Sequence, residues 1–158
     1  MIRKKNKFSW PRKLYDKTRI KGEVKLVEEY GLKNKREIWK AESKIKYFRN
    51  RAKFLITESQ EQKEQFFSKL RSIGLSVKTI ADVLALNKED LLKRRLSTIV
   101  WKRGLANTAK QSRQLIVHKK VFVNGAAVNI PSYIVPTELE SLITLKNKIK
   151  NKSSGAAE

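Results

Sequence analysis

Around Lys120 the hydrophobic period of the chain changes from 3.6 to 2, and this switch constrains the fold more than any other stretch. Val121-Phe122-Val123 and Ala126-Ala127-Val128 flank Asn124-Gly125, a pair that accepts the positive φ demanded at both central positions of a type I′ turn. A two-residue antiparallel hairpin is therefore expected. Pairing 123 with 126 and 121 with 128 puts Val121, Val123, Ala126 and Val128 on one face, an apolar surface to lay on helices. Tyr133-Ile134-Val135, bracketed by Pro131 and Pro136, reads as a short third strand at the sheet edge, where proline is tolerated.

Upstream, helix starts are legible as an N-cap residue three before an acid or amide: Asn34 with Glu37, Thr57 with Gln60, Asn87 with Asp90, Thr108 with Gln111 and Thr137 with Glu140. Each such pair satisfies orphan backbone N–H groups. A further helix is expected over 23–30, stopping at Gly31; the stretch 60–73 stops at Gly74, and 79–84 adds a short turn. Over 87–103 a single helix spaces Leu92, Leu96, Ile99 and Arg103 at i, i+4, i+7 and i+11, with Val100 alongside, as an apolar stripe that ends at Gly104. Lys93, Arg94, Thr98 and Lys102 lie off that stripe. The following helix, 109–118, buries Ala109, Ser112, Leu115 and Ile116 and presents Lys110, Arg113, Gln114 and His118. The expected class is α+β: a mainly helical N-terminal part with a basic extension, then two helices and a small antiparallel hairpin sheet.

The charge says what such a fold would meet. Lys plus Arg number 37 against 15 Asp plus Glu, a formal charge of +22 over 158 residues. An excess of this size destabilises a compact chain unless a polyanion neutralises it, which points to nucleic acid and less often to an anionic membrane. Residues 91–137 contain no acid yet hold nine basic side chains (Lys93, Arg94, Arg95, Lys102, Arg103, Lys110, Arg113, Lys119 and Lys120). Solvated faces normally mix signs, so an acid-free, apolar-rich stretch is better explained by a folded module pressed against phosphates. Residues 1–22 carry nine more cations and only Asp16, with Phe8, Trp10 and Tyr15 among them. Those aromatics favour an RNA-contacting arm over a solubilising tail. A third acid-free cluster, 44–53, contains Lys46, Arg49, Arg51 and Lys53, while Glu61, Glu64, Glu138 and Glu140 are expected to face solvent or another protein. The chain thus divides into a basic arm (1–22), a helical domain (23–90), an RNA-binding module (91–137) and a C-terminal helix with a disordered tail (138–158).

Catalytic readings fail on residue supply. With no cysteine there is no disulfide framework, thiolate nucleophile or Cys-based zinc site. His118 is the sole histidine and has no carboxylate nearby in sequence to form a proton-transfer pair. Gly-rich phosphate loops, metal-ligand spacings and nucleophile elbows are absent, so neither enzyme activity, cofactor nor metal is expected. No run of about 18 apolar residues suggests a membrane span. Trp39 and Trp101 read as core residues, whereas Trp10 could belong to either a core or a stacking surface.

Arg94-Arg95-Leu96, Gly104-Leu105-Ala106, the run Thr108 to Ile116 with His118, and Val121-Phe122-Val123-Asn124-Gly125 with Pro131 resemble the α-L RNA-binding motif in order and spacing. That motif also occurs in pseudouridine synthases, bacterial tyrosyl-tRNA synthetases and small ribosome-rescue heat-shock proteins. Tyr30 to Trp39 and Leu70-Arg71-Ser72-Ile73-Gly74-Leu75 narrow the likeness to the archaeal and eukaryotic branch of the small-subunit ribosomal protein S-four family, over residues 10–136. The Lys-rich C-terminus, with Lys146, Lys148, Lys150 and Lys152, departs from it. The zinc-binding cysteines of many bacterial members have no counterpart here.

The resemblance implies a cytoplasmic, ribosome-bound protein that holds a junction of small-subunit ribosomal RNA, organises the subunit body early in assembly and contributes to translational accuracy. Neighbouring ribosomal proteins, and mRNA where it enters the subunit, are the further partners it implies; no membrane and no homo-oligomer are expected. A ribosome-biogenesis factor with the same module is the alternative. The candidate RNA contacts are Arg94, Arg95, Lys110, Gln111, Arg113, Gln114, His118, Lys119, Lys120, Asn124 and Gly125 in the module. Arg3, Lys4, Lys5, Lys7, Arg12 and Lys13 are candidates in the arm, and Arg36, Arg49, Arg51 and Lys53 in the helical part. Arginine forks at 94, 95 and 113 suit bidentate phosphate contacts, the lysines act as point charges, and Gln111 is alternatively the capping partner of Thr108. Because Arg94 and Arg113 lie off the apolar stripes, reversing both charges is expected to weaken RNA binding and leave the fold intact.

Overall fold

Helix punctuation in this chain is largely local, and the computed structural model, which describes residues 6–145, follows much of it. Helix α1 (Lys17–Glu29) starts earlier than expected, because the Asp16 carboxylate accepts from the Thr18 and Arg19 N–H groups at 3.0 and 3.4 Å. Helices α2 (Arg36–Phe54) and α3 (Gln60–Ser72) follow, then the short α4 (Ile80–Ala85) and α5 (Lys88–Lys93). Next come α6 (Leu96–Lys102) and α7 (Ala109–Val117), and strands β1 (Val121–Val123) and β2 (Ala126–Ala127). A single turn, α8 (Thr137–Glu140), leads into β3 (Ile143–Leu145). Arg3, Lys4, Lys5 and the stretch after 145, including the expected disordered tail, lie outside the described residues.

Caps mark where local chemistry sufficed. Thr108 Oγ1 accepts from the Gln111 N–H at 3.1 Å, and the Asp90 carboxylate accepts from the Asn87 N–H at 2.9 Å, as the spacing predicts. Three other pairs do something else. Thr57 donates its hydroxyl to the Phe54 carbonyl at 3.3 Å, leaving α3 to start after Ser59 without a side-chain cap. Thr137 donates to the carbonyls of Arg71 and Ser72, both at 3.2 Å, which ties α8 to the end of α3. Asn34 does not cap α2, and Glu37, which accepts from the Lys33 N–H at 3.3 Å, also takes its carboxylate to partners far along the chain.

The helix expected over 87–103 is broken at Arg94-Arg95, which corrects the sequence reading. Arg95 is extended (φ −74°, ψ 145°). The Leu96 N–H donates to the Tyr133 carbonyl at 2.7 Å, the Val135 N–H donates to the Arg94 carbonyl at 3.2 Å, and Arg95 bridges Ile134 in antiparallel fashion. The segment expected to edge the hairpin sheet is thus drawn to this break. Its place is taken by β3, which pairs with β1 in the register Val121↔Leu145, Phe122↔Thr144 and Val123↔Ile143, giving the order β2-β1-β3.

The hairpin keeps its expected register, Val123 opposite Ala126 and the Val128 N–H donating to the Val121 carbonyl at 3.1 Å. Asn124 and Gly125 have φ of 49° and 76°, the type I′ signature. Its apolar face is narrower than expected: Val121 and Val123 are buried and Val128 half-buried, but Ala126 at the outer strand is exposed.

The break also divides the hydrophobic core. One cluster runs from Leu26 through Ile38, Ile45, Leu70 and Val83 to Leu92. The other gathers Leu96, Val100, Ile116, Val121, Val135 and Ile143. Each cluster alone is small, so the contacts that join them matter to the stability of both.

Candidate nucleic-acid interface

Helix α7 is held on α6 by packing and by one buried hydroxyl, and a second buried hydroxyl ties α6 to α5. Ser112 donates to the Ser97 carbonyl at 2.6 Å, and Thr98 donates back to the Leu92 carbonyl at 2.9 Å. With Ala109, Ser112 and Ile116 buried, Lys110, Gln111, Gln114 and His118 are turned to solvent. The helix ends with Lys119 in the left-handed region (φ 56°), its N–H on the Ile116 carbonyl at 2.9 Å and the Lys120 N–H on the Leu115 carbonyl at 3.0 Å. This is a Schellman closure in which lysine stands where glycine is usual. It leaves Lys119 and Lys120 exposed and feeds the chain into β1. A shallow cleft of about 280 Å³ lies among Gln111, Gln114, Leu115, His118 and Lys120. Gln111 is partly committed, since its side-chain oxygen accepts from the Asn107 N–H at 2.8 Å. Asn124 and Gly125 are exposed at the hairpin tip.

The three arginines read as phosphate forks face the other way. Arg94 donates to the carbonyls of Ile73 at 3.0 Å and Val135 at 3.2 Å and pairs with Glu140 at 2.9 Å. Arg95, 5% exposed, pairs with Glu37. Arg113 reaches the same carboxylate with two N–H groups, at 3.2 and 3.0 Å. Glu37 and Glu140, one from each side, therefore neutralise the cations of the boundary between the two core clusters. Burial alone would raise the Glu37 pKa; hydrogen bonds from Arg113 and Arg95 and their positive charge outweigh it and hold the carboxyl below its ordinary value.

Two expectations change with this geometry. Reversing Arg94 and Arg113 cannot leave the fold untouched, because each reversal sets a carboxylate against Glu140 or Glu37. Nor is Glu140 left to solvent or a protein neighbour, as the sequence reading had it. The boundary is close as well as polar. Gly31, at φ 58°, lies so near α7 that a Cβ there would stand 2.8 Å from the Ala109 carbonyl carbon, and Gly74 packs against the Arg94 guanidinium.

The remaining candidates divide between tethers and open surface. Arg49 donates to the Leu86 carbonyl at 2.6 Å and anchors α2 to the link between α4 and α5. Arg51 and Lys53 are exposed, as are Lys7, Arg12 and Lys13. Arg36 lies over the Trp10 ring at 5.6 Å, within an aromatic group in which Trp10 and Trp39 centroids are 5.2 Å apart and Phe8 joins at 5.7 and 5.9 Å. Trp39 donates its indole N–H to buried Glu23 at 2.9 Å, while Trp10 stays 53% exposed. The arm's described part is thus seated on α2.

Lys40 was missed, and Lys44, which opens the acid-free cluster 44–53, was not among the candidate contacts. With Arg36 they line a groove of about 490 Å³ whose wall includes the Glu37, Arg95 and Arg113 cluster and the Pro131-Ser132 loop. Their i, i+4, i+8 spacing from Arg36 was the available signal. Glu37 was missed as a tertiary partner because the same residue also fits a capping box. Among the described residues no three His, Cys, Asp or Glu stand together as a metal site, and no helix is long and apolar enough to cross a membrane.

Comparison with known proteins matches this arrangement. Residues 94–140 match the S4 domain family, from the helix break through α8. A small ribosomal subunit protein uS4 from Methanococcus aeolicus is 47% identical over 133 residues, covering 80% of this chain and 75% of the relative. Proteins of the same name from Saccharolobus islandicus and Saccharolobus solfataricus are each 45% identical over 149 residues, covering 89% of this chain and 82% of the relative. The likeness thus takes in the helical part and its junction with the module as well as the S4 domain itself, and the chain belongs to the uS4 family of small ribosomal subunit proteins.

Proposed function

We propose that the chain is a structural constituent of the small ribosomal subunit that binds ribosomal RNA through the outer face of α7 and the turn that follows it. The observation carrying this reading is the sorting of cations. Arg94, Arg95 and Arg113 are matched internally by Glu140 and Glu37, whereas Lys110, Lys119 and Lys120 stand exposed with no carboxylate partner among the described residues, beside the exposed His118. Exposed cations of one sign on a stiff surface suit a folded phosphate backbone, recognised by shape more than by base identity. The exposed Lys7, Arg12, Lys13, Arg51 and Lys53 extend the same potential over the arm and α2.

On this reading the protein is not an enzyme. It works in the cytoplasm on the ribosome, beside other small-subunit proteins, and helps the RNA junction fold early in assembly. A role in translational accuracy near incoming mRNA follows from the same family likeness.

Co-sedimentation tests the central statement. The chain is expected in mature, salt-washed small subunits; presence on precursors alone would replace this reading with that of a biogenesis factor. Binding to a small-subunit RNA fragment should also depend steeply on salt. With about six to ten phosphates contacted, affinity falls by about three to five decades between low and moderate salt, and a flat profile would contradict the proposed surface.

A further inference from the structure

Helix α2 buries Ile38, Ala41, Ile45, Phe48 and Ala52. Away from that face it presents Arg36, Lys40, Lys44, Tyr47, Arg51 and Phe54, at i, i+4, i+8, i+11, i+15 and i+18. At about 100° per residue these six side chains share one stripe, about 27 Å long at about 1.5 Å per residue. The stripe holds four cations, no acid and two aromatics; Tyr47 is 65% and Phe54 71% exposed. Neither aromatic is needed by either core cluster.

In its C-terminal half, at Tyr47 and Arg51, the stripe borders a groove of about 590 Å³ between α2 and α3. Its floor is apolar, made by Phe48, Phe66, Leu70 and Ile73. Tyr47 and Arg51 stand on one rim, and Gln62, Gln65 and Lys69 on the other. No carboxylate lines it.

We propose that this groove receives an unpaired nucleotide of the bound RNA. Tyr47 offers a ring for the base to stack on, the Gln62 and Gln65 amides offer donors and acceptors to base edges, and Arg51 and Lys69 hold the flanking phosphates. The charge decides between occupants: a rim of cations and amides over an apolar floor suits a base on an anionic backbone, the combination by which single-stranded RNA is commonly held. The inference rests on the RNA-binding function proposed above and adds a site for an extruded base on the helical part, away from the α7 face.

The test uses the full chain and a small-subunit RNA fragment containing a helical junction with unpaired nucleotides. Tyr47→Ala should weaken binding about tenfold to a hundredfold with little change in the salt slope, and Tyr47→Phe should restore it. A single-stranded oligouridylate carrying 4-thiouridine should photocrosslink to the segment around Tyr47 or Phe66. Because Tyr47 is exposed, an unchanged circular dichroism spectrum is expected for both variants. If Tyr47→Ala binds the junction like the wild type, this inference fails while the functional reading stands, and the groove falls to a protein neighbour. If the wild-type chain does not bind the junction at all, both fail.

Discussion

The boundary between the two core clusters and the outer face of α7 are built from the same kind of residue and do opposite things. At the boundary, Arg94, Arg95 and Arg113 meet Glu140, Glu37 and backbone carbonyls. On the outer face Lys110, Gln114, His118 and Lys120 are exposed to solvent. Arginine's planar fork satisfies several internal acceptors at once, so it tolerates burial where lysine's single ammonium would not. Lysine, strongly hydrated and flexible, suits a face open to solvent. Positive charge in this protein is thus partly matched inside the fold and partly left exposed.

That contrast breaks most visibly at its buried end. Arg95→Ala would leave Glu37 in a partly buried site with Arg113 and the Lys33 N–H as its remaining partners, and a loss of about 3–5 kcal/mol is expected in urea unfolding. A loss below about 1 kcal/mol would mean that the boundary does not hold the clusters together. Gly31→Ala should follow, costing about 2–4 kcal/mol from the left-handed backbone and the close approach to Ala109. Neither change touches an exposed cation, so RNA affinity measured well below the unfolding midpoint should stay near wild type.

The acid side of the boundary should appear as a pH dependence. Glu37 titrates below its ordinary value of 4.5 in the folded chain. The unfolded chain therefore takes up the proton first as pH falls. The stabilisation is complete above that ordinary value and is lost as pH drops through the lower folded one. Glu37→Gln should remove this share of the acid sensitivity. Glu23, lowered by its bonds from Trp39 and Arg19 against the opposing effect of burial, and Asp82, lowered by backbone N–H donors, keep theirs. Identical stability-versus-pH curves for wild type and Glu37→Gln would defeat the assignment.

Changes on the outer face should be smaller in stability and confined to binding. Lys110→Ala with Lys120→Ala is expected to leave urea unfolding unchanged, lower RNA affinity about tenfold and reduce the log–log salt slope by about 2. Lys119→Gly sharpens the comparison because it should act in both directions. Relief of the left-handed backbone should add about 1 kcal/mol of stability, while removal of one exposed charge weakens RNA binding a few-fold. Stabilisation without loss of affinity would take Lys119 out of the interface.

Much of the fold was legible wherever a few neighbouring residues decide the backbone. Asn124-Gly125 specified the hairpin turn and its register, since only such a pair adopts two consecutive positive φ values without strain. Gly31, Gly74 and Gly104 ended their helices for the same reason. The excess of cations and their acid-free run over 91–137 pointed to a polyanion before any contact was known. What remained hidden depended on partners far along the chain. The apolar stripe over 87–103 continues through Arg94-Arg95, so nothing local announces a break; it exists because the 131–135 segment supplies hydrogen bonds that compete with the helix's own. The same displacement brought Ile143-Thr144-Leu145 into the sheet. Whether an arginine points to RNA or to a glutamate is likewise a matter of tertiary distance: Glu37 lies 58 residues from Arg95 and 76 from Arg113 in sequence. By itself the sequence determined the turns, the helix ends and the sign of the partner, because those follow from backbone sterics and net charge. Only the tertiary structure decided which cations remain free to meet that partner, because pairing depends on which acids the fold brings within reach.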